Sequence, residues 1–349
     1  MNIHEKYIKR CIKLAKNGLG KTYPNPMVGS VIVLNDTIIG EGWHKKAGEP
    51  HAEVNAVNSV KDKSLLSKAT IYVSLEPCSH FGKTPPCSNL IVEKGIKNVV
   101  IGVIDSNSEV SGRGVKYLEA NGCNVTIGVL ENECKELNKR FFTFHTKKRP
   151  FVILKWAETK DGFIDKIRDE NSENEPNWIS NSYSQQLVHK LRADEQAILV
   201  GTNTAINDNP SLNVRSWSGI SPIRIVLDRS LKIQETYNLY NEEVETIFLT
   251  EKKPNEIYGG NLLFEEIDFS EDVPKQVCEV LYKHQIQSVI IEGGYQTLQS
   301  FIDLNLWDEA NVFVGNVSFE KGLKAPQLKK EPNEIKEISK DSLKIYINR

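Results

Sequence analysis

Apolar residues recur at helical spacing over residues 4–18, where Tyr7, Ile8, Cys11, Ile12, Leu14 and Ala15 fall on one side. After the Pro/Gly-rich stretch TYPNPMVGS come two short apolar runs, SVIVLN and TIIGEGW, joined by Asn35-Asp36, the signature of a hairpin. Helix and strand patterns then alternate. HAEVNAVNSV, CSNLIVEKG and GVKYLEANG read as helices, and ATIYVSLE, NVVIGVID and NVTIGVL as strands. That order predicts a mixed sheet covered by helices, an α/β layered domain. ENECKELNKRFFTFHTKKRP closes it with a helix and a basic, Pro-terminated link, so the boundary is placed near His145, with domains at 1–145 and 146–349.

The second half is again α/β. FVILKWA, QAILVG, IRIVLD, TIFLT and SVIIEGG read as strands, with helices at SQQLVHKLRA and around VPKQVCEVLYKH. Between Asp165 and Trp178 the polar stretch KIRDENSENEPN offers nothing to pack and predicts a mobile loop. No internal repeat is evident.

A length of 349 residues suits two domains, each able to bury a core. With 44 Lys plus Arg against 46 Asp plus Glu, the chain has no broad field for gripping a polyanion, so nucleic acid is not an expected partner. No apolar run approaches membrane-spanning length and the charged start is no signal peptide, so a cytoplasmic protein without membrane contact is expected. The six cysteines are too sparse for a disulfide framework.

Three of the chemistry-bearing residues fall at predicted element ends. His51 opens a helix, Cys78 follows the strand-end Glu76-Pro77, and Cys87 follows Pro85-Pro86 at another helix start. One imidazole and two thiolates leave the fourth tetrahedral position of a zinc ion open, the catalytic pattern. Both cysteines are placed at helix N-termini, where the macrodipole favours thiolate. Glu53, two residues from His51, projects beside the open position as a proton carrier. An H-x-E…P-C-x-x-C arrangement marks zinc deaminases that attack an amino-bearing ring carbon. Here the second spacing is Cys-x8-Cys, so SHFGKTPP, carrying His80 and Lys83, is an insert beside the metal. The competing readings are a structural zinc closed by His80, or no metal; neither explains the acid at Glu53.

TYPNPMVGSVIV, GWHKKAGEPHAEVNA and SLEPCSHFGKTPPC resemble the bifunctional riboflavin-biosynthesis deaminase/reductases, and the resemblance continues through FVILKWAETKDG, WISN, LVHKLRADEQAILVGTNTAINDNPSLNVR and VIIEGG. It implies a cytidine-deaminase-like three-layer domain followed by a dihydrofolate-reductase-like domain. The first would hydrolyse the 2-amino group of 2,5-diamino-6-(5-phosphoribosylamino)pyrimidin-4(3H)-one. The second would use NADPH to reduce the ribosyl group of 5-amino-6-(5-phosphoribosylamino)uracil to ribityl. The resemblance carries over His51, Cys78 and Cys87 as zinc ligands and Glu53 as proton shuttle. It places Asn25, His44, His80 and Lys83 in the deaminase pocket, and Lys155, Arg192, Leu212, Arg215 and Glu292 on the reductase substrate side. Ala157, Trp178, Thr204, Asp208 and the stretch Gly294, Tyr295, Gln296, Thr297, Leu298, Gln299 and Ser300 match the NADPH side. A homo-oligomer is expected.

From the residues alone, Arg192, Arg215 and Lys155 are cations for a phosphate ester, and Gly293-Gly294 after a strand suits backbone approach to a cofactor phosphate. Departures from the family pattern fall at Thr159-Lys160, Asp105 to Ser108, Pro176, Asn203 and Asn209, none at the zinc ligands or Glu53. The rivals are a nucleic-acid or nucleoside deaminase with a degenerate reductase domain, and a zinc-stabilised binding protein.

Overall fold

A computed structural model describes residues 2–79, 85–106, 111–167, 177–254 and 258–348. The chain forms two compact units, Met1–Lys148 and Arg149–Arg349. No described helix is long and apolar enough to cross a membrane.

In the first unit α1 (Ile3–Ala15) precedes the hairpin of β1 (Gly29–Leu34) and β2 (Thr37–Trp43). Then come α2 (Ala52–Ser59), β3 (Thr70–Leu75), α3 (Cys87–Glu93), β4 (Asn98–Val103), α4 (Arg113–Ala120), β5 (Asn124–Ile127), α5 (Glu131–Leu137) and α6 (Lys139–Lys147). Asn35 and Asp36 both take positive φ, 46° and 60°, the two-residue turn that lets right-twisted strands reverse without splaying. α1 stops at Ala15, three residues short of the sequence pattern, and a 3-10 turn from Lys16 to Gly18 completes it.

The sheet runs β2-β1-β3-β4-β5, antiparallel on the β2 side and parallel from β3 onward. Alternation along β1 divides the core. Val31 and Val33 face the helix layer containing Tyr7, Ile8 and Cys134, while Ile32 faces Ala56, Ile91 and Leu118. This is the mixed sheet covered by helices that the alternating pattern predicts, in the three-layer form that the family resemblance implies.

The second unit contains β6 (Phe151–Thr159), β7 (Phe163–Asp165), α7 (Ser182–Asp194), β8 (Ala197–Gly201), α8 (Thr202–Asp208), β9 (Ile223–Leu227), β10 (Thr246–Thr250), β11 (Leu262–Glu266), α9 (Val273–Lys283), β12 (Ser288–Gly293) and α10 (Tyr295–Asp303). It ends in β13 (Glu309–Gly315), β14 (Leu323–Lys324), β15 (Glu334–Ile338) and β16 (Asp341–Ile347). A nine-stranded sheet has the order β11-β10-β9-β8-β12-β6-β13-β16-β15, and β14 pairs with β7 separately. From β11 to β13 neighbours are parallel, whereas β13, β16 and β15 are antiparallel. Both faces are covered: Ala197 and Leu199 join Val277 and Phe301 on one side, Ile198 and Val200 join Ala205 and Leu239 on the other. Buried on both faces, these strands read as continuous apolar runs, which is why they are visible in the sequence. Residues 168–176, most of the expected mobile loop, lie outside the described residues.

Candidate active sites

In the first unit α2 lies tight on β2, because a Cβ at Gly42 would stand 2.6 Å from the Ala56 nitrogen. Asn55 ties this start of α2 down by donating to the carbonyls of Trp43 (2.8 Å) and Pro50 (3.1 Å). His51 is the N-cap residue but its side chain caps nothing in the helix. Its ring instead meets two sulfurs, with Nδ1 at 3.6 Å from Cys78 Sγ and 3.4 Å from Cys87 Sγ. All three ligand atoms lie within 4.8 Å of one another. A tetrahedral zinc with Zn–N of about 2.0–2.1 Å and Zn–S of about 2.3 Å requires N···S separations of roughly 3.6 Å, so the donor set fits such an ion.

Cys87 is the first residue of α3, as the sequence predicts; Cys78 is not in a helix. Its sulfur nevertheless accepts the Cys87 backbone N–H at 3.3 Å, so both thiols meet the N-terminus of the same helix. The Cys87 thiol, His51 and that N–H together hold the Cys78 thiol down at about 4, against its burial. The Cys87 thiol is pushed up by donating to Cys78 and by burial.

The loop bearing Cys78 is anchored by a residue that sequence reasoning passed over. Buried Glu76 accepts four backbone N–H groups: Asp105 (3.2 Å) and Gly112 (3.0 Å) on one oxygen, Gly114 (2.9 Å) and Val115 (3.3 Å) on the other. A Cβ at Gly114 would stand 2.1 Å from the Pro77 carbonyl oxygen, so only glycine lets α4 approach this loop. On the far side the Cys78 carbonyl accepts from the Ser88 amide (3.1 Å) and hydroxyl (3.0 Å).

Glu53, in the first turn of α2, is 3% exposed and lies against Cys87. Burial and the neighbouring Cys78 thiolate push its carboxyl up to about 7. His44 is buried with its Nδ1 on the Pro50 carbonyl (3.3 Å), so its Nε2 accepts from the Asn25 amide (3.1 Å). Burial lowers the His44 pKa, outweighing the hydrogen bond to the Pro50 carbonyl. Its ring stands edge-on to His51 at 5.3 Å, which brings Asn25, His44, Glu53 and the three metal candidates into one site. His80 and Lys83 lie outside the described residues.

The second unit holds a cleft of about 1090 Å³ at the carboxyl ends of its parallel strands. Lys155, Arg192, Leu212, Arg215 and Glu292 line it, as do Ala157, Trp178, Thr204, Asp208 and Gly294 through Leu298. Gln299 and Ser300 are absent from that lining. One turn further along α10, Gln299 binds Asp303 and the Gln327 amide, and Ser300 turns back onto the Thr297 carbonyl. Gly294 is the N-cap of α10, so Gly293-Gly294 delivers the helix N-terminus to the cleft. Gly293 takes φ +147°, a conformation that favours glycine.

Two of the three cations expected for a phosphate ester stand against a carboxylate. Arg192 donates from Nη2 (2.8 Å) and Nε (3.3 Å) to the Glu292 carboxylate, and Lys155 Nζ stands 3.8 Å from the same group. All three side chains are nearly buried, and the one carboxylate faces two cations, so the cluster keeps a net positive charge. Burial drives Glu292 up, but Arg192 and Lys155 outweigh it and hold the carboxyl at about 2. Burial also lowers the Lys155 pKa. Arg215 differs: it is exposed at the cleft, bonded through Nη1 to Asn213 Oδ1 at 2.8 Å.

Comparisons with known proteins find matches for both units. Residues 1–103 match the family described as "Cytidine and deoxycytidylate deaminase zinc-binding region", and residues 150–319 match the RibD C-terminal domain. The riboflavin biosynthesis protein RibD of Aquifex aeolicus is 39% identical over 337 residues, covering 92% of this chain and 89% of that one. The RibD protein of Escherichia coli is 34% identical over 327 residues, covering 89% and 87%. A crystal structure from Thermotoga maritima, described as a diaminohydroxyphosphoribosylaminopyrimidine deaminase/5-amino-6-(5-phosphoribosylamino)uracil reductase, superposes with a TM-score of 0.89 at 37% identity, covering 99% of each chain.

Proposed function

The chain belongs to the RibD family and is a bifunctional riboflavin-biosynthesis deaminase and reductase; from that premise we propose that its first unit is a zinc hydrolase and its second an NADPH-dependent reductase. The substrates are the phosphoribosylaminopyrimidines named above, the diamino compound for deamination and the aminouracil for reduction. The observation that carries the reading is the donor set of His51, Cys78 and Cys87 at metal-binding separations, with buried Glu53 beside it.

Zinc held by those three residues would supply Lewis-acid activation of water at neutral pH. Glu53, buried beside the donor set, takes the proton from the attacking water and returns it to the departing amine. Asn25 is fixed by His44 through one amide hydrogen, leaving its carbonyl oxygen and other N–H for the pyrimidine ring. The metal assignment has a direct check: Cys87→Ala is expected to drop zinc content well below one per chain, since two protein ligands rarely retain the ion. Full occupancy measured by elemental analysis in that variant would show a different ligand set.

In the second unit, Gly294 and the α10 N-terminus suit a cofactor diphosphate, with Trp178, Thr204 and Asp208 along the same cleft. NADPH would supply the hydride there. Lys155, desolvated and beside Glu292, is the ammonium placed to move a proton at the substrate's reacting end. Arg215, exposed at the cleft and not held by a carboxylate among the described residues, is the group for the substrate phosphate.

Arg215→Ala is therefore expected to raise the reductase KM about tenfold or more, from the loss of about 1.5–3 kcal/mol of charge-assisted hydrogen bonding. Ammonia release by the same variant should be unchanged. Both reactions are followed together, ammonia by a coupled assay and NADPH by absorbance. Equal impairment of both steps at saturating substrate would remove the two-site reading.

A further inference from the structure

The segment that presents Arg215 is fastened at four successive residues. Leu212 is 2% exposed and takes φ +53°, the left-handed backbone that a leucine keeps only where its surroundings hold it. The Asn213 carbonyl accepts from Arg192 Nη1 at 3.3 Å, and the Val214 amide donates to Ser221 Oγ at 3.1 Å. The Arg215 amide donates to His189 Nδ1 at 3.2 Å. Arg192, Leu212 and Arg215 line the cleft, whereas buried His189 is absent from that lining.

His189 and Arg192 are three residues apart on α7, so one face of that helix carries both groups to the 212–215 segment. Their duties differ. Arg192 also donates twice to Glu292, so changing it disturbs the reacting end of the cleft as well. His189 offers the Arg215 amide a lone pair, which only an unprotonated Nδ1 can do. Burial, with Arg192 and Arg215 nearby, lowers the pKa of the ring, against Glu292 and the Asn213 carbonyl.

An exposed arginine that closes on a phosphate gives up the freedom of its side chain and of any loose chain that carries it. Where the backbone is already fixed, only the side chain remains to be ordered.

We infer that His189 is a positioning residue for the reductase substrate: it fixes the backbone of Arg215, so that the guanidinium meets the substrate phosphate from an ordered segment. The inference rests on the reading of Arg215 above. Loss of the acceptor loosens the segment and weakens the hold on the phosphate, while the NADPH side and the chemical step are left as they were.

The test uses the full-length protein, assayed by NADPH oxidation with the phosphoribosylaminouracil and with the same compound lacking its phosphate. His189→Leu, which fills the space without an acceptor, is expected to raise KM for the phosphorylated substrate about three- to tenfold, with kcat and the KM for NADPH changed less than about twofold. Its kcat/KM on the compound without phosphate should stay within about twofold of wild type. His189→Asn, whose side-chain oxygen is bonded to Cγ as Nδ1 is, should recover most of the loss. In an Arg215→Ala background His189→Leu should add less than about twofold, because the group it positions is gone. If His189→Leu does not fold, His189→Ala carries the same comparison. An unchanged KM, equal loss on both substrates, a fall in kcat or no recovery by His189→Asn overturns the role of His189 and leaves the Arg215 reading intact. Arg215→Ala weakening both substrates alike overturns both.

Discussion

Glu53→Gln is expected to lower ammonia release by about two to four orders of magnitude while zinc content stays at the wild-type level. The amide is nearly isosteric with the carboxyl, so the packing at this 3%-exposed position survives. What is lost is the ability to accept the water proton and hand it to the amine, because an amide has no comparable basicity. His51, two residues earlier, keeps its place at the N-cap and its approach to both sulfurs. The measurement is steady-state ammonia release by enzyme whose metal content has been determined in the same preparation. A metal-loaded variant turning over near the wild-type rate would remove Glu53 from the reaction.

The second large effect concerns stability. Glu292→Leu is expected to destabilise the second unit by about 3–5 kcal/mol, because it strips the counter-charge from two nearly buried cations. Lys155 can relieve its share by losing a proton, since burial already lowers its pKa. Arg192 has no such escape. Adding Arg192→Leu to the variant should therefore restore part of the loss, and a double-mutant cycle in urea reads that coupling directly. The wild-type contribution has a definite pH dependence. Glu292 is held at about 2 when folded, below the roughly 4.3 of an unperturbed glutamate, so its stabilisation is fully present above the unfolded value and is lost as pH falls toward 2. A Glu292→Leu protein with wild-type unfolding free energy at neutral pH would show that the cluster is not a unit.

What was legible in the sequence follows from where the physics is local. The Asn35-Asp36 turn, the two-face burial of QAILVG and SVIIEGG, and the His51-Ala52-Glu53 helix start each depend on neighbours within a few residues. β15 and β16 were not anticipated, because EIKEI is exposed along nearly its whole length and DSLKIYI pairs its polar positions with it. The short α8 was hidden by its polar, Thr- and Asn-rich composition, with few apolar positions to set a period.

The same divide separates the site residues. His51, Cys78, Cys87 and Glu53 announce themselves by residue type and spacing. The pairing of Arg192 with Glu292, one hundred positions apart, has no local signature, and an arginine read alone looks like a free cation. Glu76 was missed for a similar reason: its four donors come from Asp105 and from the segment 112–115, brought to it only by the pairing of β3 with β4 and the close seat of α4.

The Glu76 cage bears on how the centre is charged with its ion. In a small zinc module the ligands are disordered until the metal arrives, so the ion's affinity is reduced by the cost of folding the chain around it. Here the loop carrying Cys78 is fixed by protein hydrogen bonds on both sides, to Glu76 and to Ser88, with none of them routed through the metal. The centre is thus a receptor already cast, and the ordering entropy has been met by the domain's own folding. Exchange of the ion is then expected to turn on ligand protonation and access rather than on refolding around Cys78.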